Sequence, residues 1–130
     1  MASYEIDKLD FGDGDIAFAV KFPIPPFGNG YFAAPDASFE SESLLAGIAK
    51  NWDELWPTMI EKLQTACRET EIELNVKPEE FMGSVQLLED DVFMGDKADV
   101  FIRIKTKRDC VPVWDYFLRE STIVHFQPVY

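Results

Sequence analysis

The segment Asn51–Thr70, NWDELWPTMIEKLQTACRET, places apolar side chains three and four residues apart along its whole length. This spacing is typical of an amphipathic helix with one apolar stripe. Asn51, followed three residues later by Glu54, predicts an N-cap with a capping box. The apolar stripe consists of Trp52, Leu55, Trp56, Met59, Ile60, Leu63, Ala66 and Cys67. We therefore expect the rest of the chain to pack around this helix.

Pro57 lies inside the stripe and removes one helical hydrogen bond, which leaves two interpretations. Either the helix is kinked at Pro57, or Trp52–Trp56 forms a separate turn and the main helix begins near the proline. The apolar pattern also extends backward, so a helical approach from Ser43 is compatible with the sequence. Gly47 and Asn51 indicate that this approach and the main helix are distinct.

Alternation of apolar and polar residues predicts strands on both sides of the helix. The predicted strands are Tyr4–Leu9, Asp15–Phe22, Ile72–Val76, Ser84–Leu88, Ala98–Lys107, Val113–Arg119 and Thr122–Tyr130. Turn residues join the first two and the last two, so each pair predicts a β-hairpin. Pro78–Phe81 is typical of one helical turn, and Glu89–Asp91 predicts a bulge or a wide turn.

These elements predict the fold class. We expect a single α+β domain over residues 1–130, with one main amphipathic helix packed on one face of a curved antiparallel β-sheet of about five to seven strands. The hydrophobic fraction of 47% supports a packed core rather than a disordered chain.

The segment from Pro23 to Asp36, PIPPFGNGYFAAPD, has four prolines and two glycines, which predicts an irregular connection. Phe27, Tyr31 and Phe32 punctuate it. One interpretation is a long loop pinned to the core by its aromatic side chains. The other is a proline-stiffened recognition surface, whose low conformational entropy favours binding.

The formal net charge is −12, with 24 acidic and 12 basic residues. Residues 1–50 hold eight acidic and three basic residues, residues 51–100 thirteen and four, and residues 101–130 three and five. Such a surface repels nucleic acids and anionic membranes, so we expect neither as a partner. The same surface attracts a basic protein. The alternative explanation is that the acidic residues only keep the protein soluble. Glu89, Asp90 and Asp91 form the densest acidic cluster.

Few residues suggest catalysis or metal binding. His125 is the only histidine, and Asp109, Asp115 and Glu120 are near it in sequence, with no spacing that singles one out. Cys67 falls on the apolar stripe, which is typical of a buried cysteine. Cys110 follows basic residues, but the chain has no second histidine that could act as its base. A carboxylate magnesium site at Glu89–Asp91 is a weaker alternative to a solvated acidic patch. We predict no catalytic residues, no metal and no cofactor.

The N-terminal residues MASYEIDKLD are acidic where a secretory signal is basic and then apolar. We therefore expect a cytoplasmic protein, with export by a signal-independent route as the alternative. No stretch matches a family motif.

Two functional hypotheses follow. The first is a small, acidic, non-catalytic protein-binding domain, for example an inhibitor or immunity-type protein that neutralises a basic toxin. Its predicted partner-binding residues are Phe27, Tyr31, Phe32, Glu89, Asp90 and Asp91.

The second hypothesis is a ligand-binding or enzymatic domain with an aromatic-lined pocket between helix and sheet. Its lining would come from Trp52, Trp56, Phe101 or Trp114, with His125 or Asp115 inside. A homodimer through an edge strand or the aromatic segment is compatible with either hypothesis.

Overall fold

A computed structural model describes residues 4–10, 12–25, 27–70, 81–88, 92–93, 96–106 and 113–129. It contains two helices, α1 (Phe39–Lys50) and α2 (Trp52–Glu69), among these residues. The strands are β1 (Ile6–Asp10), β2 (Ile16–Pro23), β3 (Asn29–Ala33), β4 (Phe81–Leu87), β5 (Val92–Phe93), β6 (Asp96–Lys97), β7 (Val100–Thr106), β8 (Val113–Arg119) and β9 (Thr122–Val129). The predicted strand Ile72–Val76 and the acidic segment Glu89–Asp91 lie outside the described residues.

Seven strands form one sheet in the order β1-β2-β3-β4-β7-β8-β9, and β5 pairs with β6 separately. The predicted hairpins β1–β2 and β8–β9 lie at opposite edges of this sheet. The α+β class, with helices on a mostly antiparallel sheet, is confirmed. One pair departs from the antiparallel pattern, because β3 runs parallel to β4. Parallel neighbours need a long crossover, and the connection from β3 to β4 contains both helices.

The helical segment divides at Asn51, as predicted, but α1 begins earlier than Ser43. Ser38 caps it, since its hydroxyl accepts a hydrogen bond from the Ser41 amide at 3.2 Å. α2 continues through Pro57, so the interpretation with a separate first turn is wrong. The predicted capping box is also wrong, because Asn51 makes no side-chain cap. Asn51 instead ends α1, and its side-chain Nδ2 donates to the carbonyl of Gly47 at 3.1 Å.

The stripe of α2 packs onto the sheet face that we call the inner face. Seven of its eight residues are buried, and Ile60 is partly buried against the same core. The Trp52 ring stacks on Phe22 at 4.1 Å between centroids, and its Nε1 donates to the Pro23 carbonyl at 2.8 Å. At the other end of the sheet, the Tyr116 hydroxyl donates to the carbonyl of Met59 at 2.8 Å. Helix α2 therefore ties the two halves of the sheet together.

The prediction of an irregular connection between Pro23 and Asp36 is wrong for the centre of this segment, where β3 forms. β3 pairs with β2 and β4, so it is an interior strand. The prolines do not prevent this pairing because none of them lies inside β3. Gly28, at φ +93°, closes the turn, and its carbonyl accepts the amide of Ile24 at 2.8 Å.

Gly83 lies opposite Phe32 in the β3–β4 register, and a Cβ added there would lie 2.6 Å from Phe32 Cε2. We expect Gly83→Ala to lower the free energy of unfolding by about 1–3 kcal/mol, because the ring must leave its place. Gly47→Ala is the matched control, since a Cβ there meets no atom within 4 Å. Because Gly47 is inside α1, its replacement should stabilise the protein by about 1 kcal/mol. Urea unfolding of both variants measures the difference, and equal effects would contradict the close packing.

None of the helices in the described part of the chain has the length and apolar character needed to cross a membrane.

Candidate functional site

The three aromatic residues predicted to bind a partner have different surroundings. Tyr31 is 40% exposed on the outer sheet face, where the Lys21 ammonium lies 5.8 Å from its ring centre. Phe32 is fully buried and contacts Trp52 with centroids 4.9 Å apart. Neighbouring strand residues point to opposite faces, so only one of this pair reaches solvent. Phe27 is half-buried against the core. Phe32 is thus a core residue and offers no contact surface.

The predicted acidic cluster Glu89, Asp90 and Asp91 lies outside the described residues, as does Cys110. Cys67 is buried, as its place on the stripe predicts, and burial raises the pKa of its thiol. A thiol held protonated in the core is a packing group rather than a nucleophile.

The three tryptophans proposed for an aromatic pocket fill the core instead, each at most 3% exposed. Phe101 lies on the opposite sheet face, where it contacts Phe117 with centroids 5.1 Å apart. In the described part of the chain these four aromatic side chains are packing groups, and a pocket lined by them stays a prediction.

Asp115 and His125, the polar residues proposed for that pocket, belong to the outer sheet face. Asp115 is buried, and its two carboxylate oxygens accept hydrogen bonds from Arg103 at 2.7 and 3.0 Å. This bidentate pair raises the pKa of the Arg103 guanidinium. His125 lies opposite Phe117 in the β8–β9 register, with ring centroids 5.7 Å apart. These groups join β7, β8 and β9 across their outer surface.

A groove between α2 and β9 is the best candidate for a functional site. It consists of two adjoining cavities of about 470 and 320 Å³, and Thr58 lines both. Its apolar floor is formed by Ile123, Phe126 and Pro128 from β9, which are partly exposed, above the buried Leu55 and Ala66 of α2. An apolar floor at the edge of a sheet offers contact surface to a partner.

The rim of this groove is acidic. Glu54, Glu61 and Glu69 come from α2, and Glu120 comes from the β8–β9 turn. Lys62 is the one basic residue among the described residues that line it. Four carboxylates against one ammonium give the groove a negative potential in addition to that of the whole chain.

The periodicity of α2 places these acids. Glu54, Thr58, Glu61, Thr65 and Glu69 recur at intervals of four, three, four and four residues, which keeps them on one side of the helix. The apolar stripe occupies the adjacent side and turns toward the sheet. The groove therefore lies where the buried and exposed sides of α2 meet.

The β8–β9 turn holds the mouth of the groove in place. Glu120 and Ser121 both have positive φ, at 50° and 66°, as a two-residue hairpin turn requires. The Ser121 hydroxyl accepts a hydrogen bond from Asn51 Nδ2 at 3.0 Å, and the Glu120 backbone amide donates to Asp99 Oδ2 at 3.2 Å. The residue before the start of α2 is thus fixed relative to the β8–β9 turn.

Apart from the groove, a separate cavity of about 650 Å³ lies where β3 ends between β2 and β4. Small residues line most of it, with Asp15 and Asp36 at its edge. Asp36 already accepts hydrogen bonds from the Ser38 amide and the Ser41 hydroxyl, which lower the pKa of its carboxyl group. Because Asp36 is engaged in supporting the start of α1, we place the candidate site in the α2–β9 groove.

Sequence reasoning missed this groove, although one signal was present: the acids at positions 54, 61 and 69 share one side of the predicted helix. Among the described residues, no group of three or more His, Cys, Asp or Glu side chains is arranged to hold a metal ion. Comparison with protein-family models, with curated proteins and with solved structures finds no match to this chain.

Proposed function

We propose that this protein is a protein-binding module that receives a cationic segment of a basic partner in the groove between α2 and β9. An inhibitor or immunity-type protein that neutralises a basic toxin is the specific example of this class. The observation that supports it is the acidic rim, Glu54, Glu61, Glu69 and Glu120, around an apolar floor.

The charge of the whole chain supports the same role. A net charge of −12 exceeds the magnitude of roughly 2–8 that suffices for the solubility of a small domain. Long-range attraction raises the association rate with a basic protein, and the apolar floor then provides contact area. The rim charges are exposed to solvent, so their contribution to binding a basic protein falls as salt shortens the Debye length.

The test compares two double variants that remove the same charge. Glu61→Gln/Glu69→Gln changes the groove, and Glu40→Gln/Glu42→Gln changes the exposed first turn of α1. Each immobilised protein is incubated with a native lysate at about 50 mM and about 200 mM salt, and captured proteins are identified by mass spectrometry. We expect a basic protein that the wild type and the α1 variant capture, that the groove variant captures at least about tenfold less, and that salt releases.

Two results would contradict the proposal. Equal capture by both double variants would place the interaction outside the groove. If the wild-type protein enriches no basic protein at the lower salt concentration, the proposed binding function is itself contradicted.

A further inference from the structure

We infer that the cationic segment is an amphipathic α-helix that lies along α2, with basic residues seven to eight positions apart. This inference rests on the proposed function and specifies the class of partner. An added β-strand and a second copy of this chain are the competing occupants. Three features decide between these occupants: the shape of β9, the spacing of the rim acids, and the negative charge around the groove.

β9 is poorly suited to accept an added strand, although it is the last strand of the sheet among the described residues. Its register with β8 shifts between Phe117 and Leu118, so Val124 has no partner of its own in the pairing. Pro128 near its end has no amide hydrogen to donate. A bulge and a proline are features that prevent edge-to-edge pairing in natural sheets. Between them only three residues, 125–127, offer a regular backbone edge.

The rim acids are spaced for a helix. Glu54, Glu61 and Glu69 are seven and eight residues apart, which on a helix is about 10.5 and 12 Å. A second helix beside α2 presents basic residues at the same intervals when they are seven and eight positions apart. Same-face residues of a strand recur about every 6.4–6.8 Å, so one and two repeats both miss the 10.5 Å interval, although two repeats come within roughly 1 Å of the 12 Å interval.

The length and floor of the groove set the other properties of the partner helix. From Glu54 to Glu69 the rim extends about 22 Å, or four helical turns. Ile123, Phe126 and Pro128 favour an apolar stripe on the partner, with residues at the i, i+3, i+4 and i+7 positions. A basic amphipathic helix of about 15–18 residues meets both conditions.

A second copy of this chain is a poor occupant. Symmetric pairing through the groove would bring the rim acids of both copies together, with one Lys62 from each to offset them. The first turn of α1, with Glu40 and Glu42, is acidic as well. Like charges at close range oppose such a dimer.

Four fluorescein-labelled peptides of about 18 residues and equal net charge, built mainly from Lys, Leu and Ala, test the inference. One has the helical pattern described above, one alternates Lys and Leu as a strand would, and one is scrambled. The fourth has the helical pattern with a central proline, which breaks the helix and keeps every charge. Anisotropy measures affinity, and far-UV circular dichroism measures the helicity gained on binding.

We expect the helical peptide to bind at least about tenfold more tightly than the other three and to gain helicity. Glu61→Gln/Glu69→Gln should weaken its binding, and Glu40→Gln/Glu42→Gln should not. Tighter binding of the alternating peptide, with new protection of β9 amides from hydrogen exchange, would overturn the helical inference. Equal, charge-dependent binding of all four peptides would also overturn it but leave the proposed function standing.

If the groove substitutions leave the affinity of the helical peptide unchanged, the proposed function is overturned as well. Sedimentation of the unliganded protein completes the test. We expect a monomer, and a dimer that dissociates on Phe126→Glu would assign the groove to a second copy and overturn the inference.

Discussion

Replacing Phe32 with alanine is expected to lower the free energy of unfolding by about 3–5 kcal/mol. The ring is fully buried, lies 4.9 Å from Trp52 and 5.5 Å from Phe22 between centroids, and covers Gly83. Removing it deletes the transfer free energy of a large side chain and leaves a cavity under the first turn of α2. Urea unfolding monitored by circular dichroism measures the loss.

Tyr31→Ala is the matched control, because Tyr31 is the next residue on the same strand and points to the outer face. Its main described contact is with Lys21, so the loss should be about 1 kcal/mol or less. Similar losses for Tyr31→Ala and Phe32→Ala would contradict the assignment of these side chains to opposite faces of β3. Because Gly83 and Phe32 are in contact, Gly83→Ala should cost far less in the Phe32→Ala background.

Leu63→Ala is expected to cost about 2–5 kcal/mol. Leu63 is 1% exposed in the centre of the α2 stripe and belongs to the same core as Tyr116 and Ile104. The expected loss combines the transfer of the isobutyl group with the cavity that it leaves in a rigid core. Thermal and urea unfolding measure it.

Glu61→Ala serves as the control for Leu63→Ala, since Glu61 is exposed on the groove side of the same helix. Its effect on stability should stay within about 0.5 kcal/mol. A loss below about 1 kcal/mol for Leu63→Ala would mean that the stripe of α2 does not face the sheet. Helix α2 thus has two roles to separate experimentally: Leu63 reports on folding, and Glu61 reports on binding.

Periodic patterns in the sequence predicted the elements that depend on local burial. The three- and four-residue spacing of Asn51–Thr70 predicted α2 and its buried stripe, and alternation in Ala98–Lys107 predicted β7. Ile102 and Ile104 are buried while Arg103 and Lys105 are exposed, as that alternation requires. Both terminal hairpins also follow from local signals, because a short turn joins strands that are adjacent in sequence: five residues between β1 and β2, and two between β8 and β9.

The structure corrected predictions in which distant segments decide the outcome. β3 forms inside a proline-rich segment because β2 and β4 pair with it on both sides. Tertiary pairing of this kind overrides a local composition that favours a loop. The same pairing decides that Phe32 turns inward to Trp52, whereas composition alone treated it like Tyr31.

The candidate groove shows the same division between sequence and tertiary structure. Helical periodicity alone placed Glu54, Glu61 and Glu69 on one side of α2. The floor at Phe126 and the fourth acid at Glu120 come from residues more than fifty positions later in the chain. A groove exists only where two such segments are brought together, and that depends on strand order, which no local pattern encodes. Local periodicity therefore specifies the helix and its charges, whereas strand order places β9 beside them.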